Sequence, residues 1–171
     1  MPGYTQKVVE CILLIGLPAS GKTTFYRAFF SASHVHISKD LWPNAAGRQA
    51  RQMRELQSAL SAGSPVVIDN VNASRADRAP TIAAARAAGA RVIGYFFDVT
   101  TRQAVARNAE RQGKSKVPNV AIFTAAKRLE RPTPDEGFDQ LFRIEITADR
   151  DYRVEPVGLT TRADDPETTV R

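Results

Sequence analysis

Gly16-Leu17-Pro18-Ala19-Ser20-Gly21-Lys22-Thr23 is the stretch whose reading decides the fold. An apolar run, Val8 to Ile15, precedes it, and a helix-like segment, Thr23 to Phe30, follows. The octet fits the pattern G-x-x-x-x-G-K-[ST] in the strand–loop–helix setting that the pattern requires. Gly16 and Gly21 allow turns that a side chain would block, so successive N–H groups converge on a phosphate. The first turn of the following helix adds unpaired N–H groups and the positive end of its dipole. Lys22 then reaches the β- and γ-phosphates, and the Thr23 hydroxyl ligates Mg²⁺. Gly16, Pro18, Ala19, Ser20, Gly21, Lys22, Thr23 and Thr24 are therefore the candidate contacts to a nucleoside triphosphate. The competing reading, an ordinary Gly/Pro/Ser turn, leaves the flanking strand and helix without a purpose.

Outward from this loop, apolar strand-like runs alternate with longer helical patterns, as in a parallel α/β sheet. The first strand, Val8 to Ile15, is apolar but for Glu10, as expected of a central strand buried on both faces. The first helix ends near Ser33. A short strand, Val35 to Ile37, leads into Ser38-Lys39-Asp40, and after Pro43-Asn44 a helix spans Arg48 to Ser61, closed by Gly63. Pro65 to Ile68 forms the third strand, with Asp69 at its end. Arg75 to Ala88 reads as an alanine-rich helix whose start Pro80 delays or whose axis it kinks. Arg91 to Phe97 is a fourth strand, and Thr100 or Thr101 caps a helix running to about Gln112. Gly113 to Pro118 is a basic, flexible loop, Val120 to Glu130 a further helix, and Gln140 to Ile146 the last strand. These elements compose one domain over residues 1–158, with a lid at about 107–118; the polar tail, 159–171, is expected to carry little structure.

The 171 residues suffice for one domain with a real core. No apolar run approaches the ~20 residues of a membrane helix, and the N-terminus lacks a signal-peptide pattern. Cys11 is the only cysteine, so no disulfide can form within the chain, and a reducing, cytoplasmic setting is expected. His34 and His36 flank Val35 at strand spacing and read as strand-edge residues rather than metal ligands. The net charge of +6 favours polyanionic partners, whether nucleotide phosphates or a nucleic-acid backbone.

Ligands of an open parallel sheet sit at the carboxyl ends of its strands. Asp69 there is a candidate Mg²⁺ carboxylate, or else a loop cap. Asp40 is the candidate general base, able to accept the proton of an incoming hydroxyl; a helix cap before Trp42 is the competing role. Arg107 and Arg111 stand four apart on one helix and share a face. Delivered by a mobile lid, they neutralise charge that builds up in the transition state, unless one of them merely forms a salt bridge. The candidate catalytic set is thus Lys22, Asp40, Arg107 and Arg111.

Several blocks together resemble the kinase domain of the animal polynucleotide kinases, P-loop enzymes that phosphorylate the 5′-hydroxyl of DNA or RNA. These are Gly16-Leu17-Pro18 through Phe25, Val35 to Asp40, and Val66-Val67-Ile68-Asp69-Asn70-Val71-Asn72. Arg78, Asn108, Arg111, Val117-Pro118, Phe123, Glu130-Arg131-Pro132 and Glu136-Gly137-Phe138 continue the match, which spans roughly residues 8–146. The resemblance implies an adenylate-kinase-like, three-layer P-loop fold with a central parallel sheet. It also implies ATP-dependent transfer of the γ-phosphate to a nucleic-acid 5′-end, with Asp40 as base, Lys22 and Arg111 on the transferred group, and Thr23 on Mg²⁺. Two departures stand out. The animal enzymes carry a phosphatase domain before the kinase, for which this sequence has no room. Related kinases also place an arginine three residues after the base, where this chain has Pro43. Arg48, Arg51, Arg75 and Arg78 are then the candidate acceptor contacts, unless the first two are solvated helix face. Trp42 stacks on a terminal base or packs inward. A kinase for a sugar, nucleoside or antibiotic is the alternative enzyme, and a non-catalytic nucleotide-binding module the alternative from another class.

Overall fold

The computed structural model describes residues 8–158; the expectations for the extreme N-terminus and for the 159–171 tail lie outside the described residues. Six strands form one sheet in the order β2-β3-β1-β4-β5-β6. They are β1 (Glu10–Ile15), β2 (Val35–Ile37), β3 (Val66–Asp69), β4 (Arg91–Phe97), β5 (Gln140–Ile146) and β6 (Tyr152–Pro156). Five helices pack on it: α1 (Lys22–Phe29), α2 (Arg48–Ser61), α3 (Arg75–Ala87), α4 (Thr101–Ala109) and α5 (Asn119–Arg128).

β1 is central because nothing in it needs water after Glu10. It runs parallel to β3, with Cys11 opposite Val66, and to β4, with Cys11 opposite Val92. Its alternate side chains feed two cores. Cys11, Leu13 and Ile15 meet Leu56 and Leu60 of α2 and Ile82 and Ala85 of α3. Ile12 and Leu14 join Phe25 of α1, Ala104 of α4 and Ile122 of α5. A strand apolar from Cys11 to Ile15 is thereby buried on both faces, giving three layers. Burial also pushes the Cys11 thiol up to about 12, so it is an inert packing residue.

Local chemistry sets the helix starts. Thr100, rather than Thr101, caps α4: its Oγ1 accepts from the Gln103 N–H at 3.1 Å while Gln103 Oε1 accepts from the Thr100 N–H at 2.8 Å. Ser74 and Asp77 form the same reciprocal pair at the start of α3. α3 therefore begins at Arg75, five residues before Pro80, and is not delayed by it. Gly94 keeps β4 bare where a Cβ would fall 2.7 Å from Leu141 Cδ1 and 2.8 Å from Phe138 Cε1.

Two elements depart from the sequence reading. α4 ends at Ala109 rather than near Gln112, so Arg107 lies on the helix and Arg111 beyond it, and the two do not share one helix face. β5 is not the last strand: β6 returns antiparallel beside it, Ile146 opposite Tyr152 and Phe142 opposite Pro156. Tyr-Arg-Val-Glu-Pro lacks the apolar run of the inner strands because it is a mostly exposed edge, where charge and a terminal proline discourage pairing with another chain.

Candidate active site

The loop after β1 turns through three positive φ values, Gly16 (154°), Ala19 (62°) and Gly21 (94°). Gly16 has no room for a side chain: a Cβ there would lie 3.0 Å from both Phe97 Cβ and Ser20 Oγ. Ala19 holds a left-handed conformation costly for a residue with a Cβ, and it does so buried, as strain tends to be kept at ligand sites. Lys22, 8% exposed, curls back into the loop and donates to Gly16 O at 2.9 Å and Leu17 O at 2.7 Å. Burial lowers its pKa to about 8, against the opposing pull of the Asp69 and Asp40 carboxylates and with help from Arg111. Lys22, Asp40, Asp69 and Arg111 therefore share one electrostatic neighbourhood.

Asp69 ends β3, 3% exposed. Its Oδ2 accepts from Thr23 Oγ1 at 2.7 Å and lies 3.0 Å from His36 Nε2. Burial pushes the Asp69 pKa up, but the bonds to His36 and Thr23 and the Lys22 charge outweigh it, so the net shift is downward. The carboxylate is thus an anion at neutral pH and is not a loop cap. Asp69 and Thr23 offer two hard oxygens side by side. No cluster of three or more His, Cys, Asp or Glu residues able to hold a metal occurs among the described residues. That donor set fits Mg²⁺, which takes one or two protein oxygens and completes its shell with phosphate and water. His36 is the site residue that sequence reasoning missed. It is a strand-edge residue, but one stacked on Tyr26 at 4.1 Å and aimed at Asp69, 33 positions away.

Asp40 sits in a 3₁₀ turn, Lys39–Leu41, whose cap is Ser38: Ser38 Oγ accepts from the Asp40 N–H at 3.3 Å. The cap role weighed for Asp40 thus falls to Ser38. The exposed Asp40 carboxylate makes no hydrogen bond among the described residues. It opens on a cleft of about 760 Å³ walled by the 3₁₀ turn, the start of α2, the β3–α3 loop and α5. The loop is fastened from below. Asn70 accepts from the Lys39 N–H at 2.9 Å and donates to the buried Gln52 at 2.8 Å. Val71 O accepts from the Gly16 N–H at 3.1 Å, and Asn72, at φ 48°, donates to Leu14 O at 2.7 Å.

On the other side of the phosphate loop, Ala19, Gly21, Thr24, Arg107 and Arg111 line a groove of about 370 Å³ together with Arg150. A Cβ on Gly21 would lie 3.8 Å from Arg107 Nη2, so that guanidinium reaches the loop. Arg111 donates to Ser115 O at 3.1 Å; burial and the neighbouring Arg107 lower its pKa. The segment expected to be a flexible lid contains a 3₁₀ turn, Gly113–Ser115, and is tied down by buried Asn108. Asn108 donates to Val117 O at 2.7 Å and accepts from the Val117 N–H at 3.0 Å.

The acceptor candidates fare differently. Arg78 is 0% exposed and does not face the cleft. It grips Glu136 through two 2.7 Å bonds and donates to Asn72 O, Ala73 O and Glu130 O. With its donors so occupied it is a structural clamp, which corrects the expectation of an acceptor contact. Arg75 is paired with Asp135 at 2.8 Å, outside the cleft. Trp42 packs against the core and carries the Arg51 guanidinium 4.3 Å over its ring, so packing is the role it plays here.

These features have parallels among known proteins. Over 70 residues the chain is 36% identical to a protein of Acanthamoeba polyphaga mimivirus named as a bifunctional polynucleotide phosphatase/kinase, a match covering 40% of this chain and 16% of that protein. Two solved structures share the fold. Chaetomium thermophilum Kti12 in complex with ADP-AlF3 has a TM-score of 0.63 and 18% identity, over 82% of this chain and 92% of that one. A sugar kinase from Janibacter sp. HTCC2649 has a TM-score of 0.61 and 17% identity, over 80% of this chain and 85% of that one. The α/β architecture with its mostly parallel six-stranded sheet is thus that of P-loop kinases. Residues 11–132 match the model of the AAA domain family (AAA_33), and the chain belongs to that family.

Proposed function

We propose that this protein is an ATP-dependent polynucleotide 5′-hydroxyl kinase, its P-loop domain closed over the nucleotide by the lid at 107–118. One observation carries the reading: the unpaired Asp40 carboxylate opens on a cleft while its charge is felt by the Lys22 ammonium of the phosphate loop. In this reading the donor site and the acceptor site adjoin each other there. The γ-phosphate is gripped by the loop amides and Lys22; Thr23 and Asp69 are the residues that would hold Mg²⁺, which would supply positive charge against the phosphates. The acceptor's 5′-oxygen lies against Asp40, which takes its proton as the O–P bond forms and the bond to ADP breaks. Arg107 and Arg111 neutralise charge on the transferring group.

The mimivirus relative and the net charge of +6 favour a nucleic acid as acceptor. The replacement of an acceptor arginine by Pro43 favours the second reading, a small-molecule kinase. Incubation with γ-labelled ATP and Mg²⁺ separates the two. Label on 5′-hydroxyl oligonucleotides supports the proposal; label on sugars or nucleosides alone replaces it with the second reading. ATP binding with no labelled acceptor overturns both.

A further inference from the structure

The buried stripe of α2 is Gln52, Leu56 and Leu60, spaced four apart on the face turned to the core. An amide in the first of these places is out of pattern: Gln52 is 2% exposed, where an unbonded polar group is costly. Both ends of it are bonded. Its Nε2 donates to Thr81 Oγ1 on α3 at 3.3 Å, and its Oε1 accepts from Asn70 Nδ2 at 2.8 Å. Asn70 Oδ1 in turn accepts from the Lys39 N–H at 2.9 Å. A peptide N–H can only donate, so the Lys39 end fixes which way the Asn70 amide faces, and Asn70 then fixes Gln52. The bonds therefore run in one direction, from the peptide N–H just before Asp40 to Thr81, itself 1% exposed.

Asp40 needs such a hold. Asp40 and Leu41 are exposed, so packing does not place them, and Trp42 fixes only the far end of the turn. Two of the turn's three N–H groups bond to its own cap, Asp40 to Ser38 Oγ at 3.3 Å and Leu41 to Ser38 O at 3.2 Å. The third, on Lys39, is held by the β3–α3 loop. That loop also grips the phosphate loop: Val71 O accepts from the Gly16 N–H at 3.1 Å, and Asp69 at its start accepts from Thr23 at 2.7 Å. On the basis of the proposed function, we infer that Gln52 is a positioning residue for the transfer step: by fixing the Asn70 amide it sets where the Asp40 carboxylate stands relative to Thr23 and Lys22. It acts through Asn70 and the Lys39 peptide, not on the substrates. Displacing a reacting group by about 1 Å costs roughly 10²-fold in rate, so the hold should show in kcat and not in binding.

The test combines Gln52→Met, which keeps the volume and removes both bonds, with Asp40→Ala. In Gln52→Met, single-turnover transfer from γ-labelled ATP to a 5′-hydroxyl oligonucleotide should fall roughly tenfold or more, with ATP affinity and acceptor KM within about twofold of wild type. In the Asp40→Ala background the same substitution should change the residual rate by less than about twofold, because its route runs through Asp40. A role confined to folding would lower both backgrounds alike. Amide hydrogen exchange at Lys39 should quicken in Gln52→Met while that at Ile68 in β3 keeps its wild-type rate. A thioether suits the apolar stripe, so the melting temperature should stay near wild type; Asn70→Ala, at a half-buried loop position, should give the same pattern and serves where Gln52→Met does not fold. Transfer within about twofold of wild type, an equal fall in the two backgrounds, or unchanged exchange at Lys39 overturns the inference and leaves the kinase reading standing. Absence of label on every 5′-hydroxyl acceptor with the wild type removes the kinase reading and the inference with it.

Discussion

Glu136→Gln should destabilise the protein severely, although it changes one atom far from the reacting centre. The Arg78 and Glu136 side chains are 0% and 3% exposed, and they meet through two 2.7 Å bonds. Glutamine keeps the shape and one acceptor but leaves the buried guanidinium without its counter-charge. Removing one partner of such a pair typically costs about 3–5 kcal/mol. The retained acceptor and the three carbonyls on Arg78 place the loss at the lower end, about 3 kcal/mol. In a chain of this size each kcal/mol moves Tm by roughly 2–4 °C, so a drop of about 6–12 °C is expected in thermal melts followed by circular dichroism. Arg75→Ala is the control: it breaks an exposed pair, Arg75 with Asp135, and should barely move Tm. The same clamp holds Asn72 and Ala73, which line the cleft, so Glu136→Gln should also raise the acceptor KM at temperatures where it remains folded. A Tm within 2 °C of wild type, or no lower than that of Arg75→Ala, would refute this account of the clamp.

Other consequences are equally open to measurement. Because burial brings Lys22 to about 8 from an ordinary 10.5, ATP binding by the free enzyme should weaken as pH rises through about 8, a profile that titration calorimetry can follow. The stability effect has the opposite sign: between those values the unfolded chain binds more protons, so stability should rise with pH over that window, and Lys22→Met should flatten the rise seen in urea titrations. Asn108→Ala removes three bonds fastening the lid segment and should speed amide exchange at Val117 more than anywhere in β1. Gly94→Ala drives a methyl against Leu141 and Phe138 and should cost about 1–3 kcal/mol, read from the urea midpoint.

Much of this architecture is legible in the chain because its signals are local. An apolar strand, a glycine-lysine loop and helix caps each lie within a few residues, so the bounds of β2, α2, β4 and β5 follow from sequence as they stand in the structure. Asp40 and Asp69 are singled out by their position after a strand and Arg107 by its place on a helix; Arg111, expected on the same helix, lies beyond the end of α4 at Ala109. What sequence does not disclose is which polar groups already have partners. The carboxylate that engages Arg78 lies 58 positions away, so an arginine that reads as a free cation is in fact buried. His36 and Gln52 act through Asp69 and Asn70 on other strands and loops, and no local pattern marks them. β6 was missed because its pairing with β5 supplies the order that its own composition lacks.

The central claim is that one carboxylate beside the phosphate loop deprotonates the acceptor. Single-turnover transfer from γ-labelled ATP to a 5′-hydroxyl oligonucleotide by Asp40→Ala tests it most directly, with ATP affinity measured on the same preparation. Transfer should fall by roughly 10²–10⁴-fold while ATP binds nearly as tightly as to the wild type. Near-normal transfer by Asp40→Ala would contradict the account.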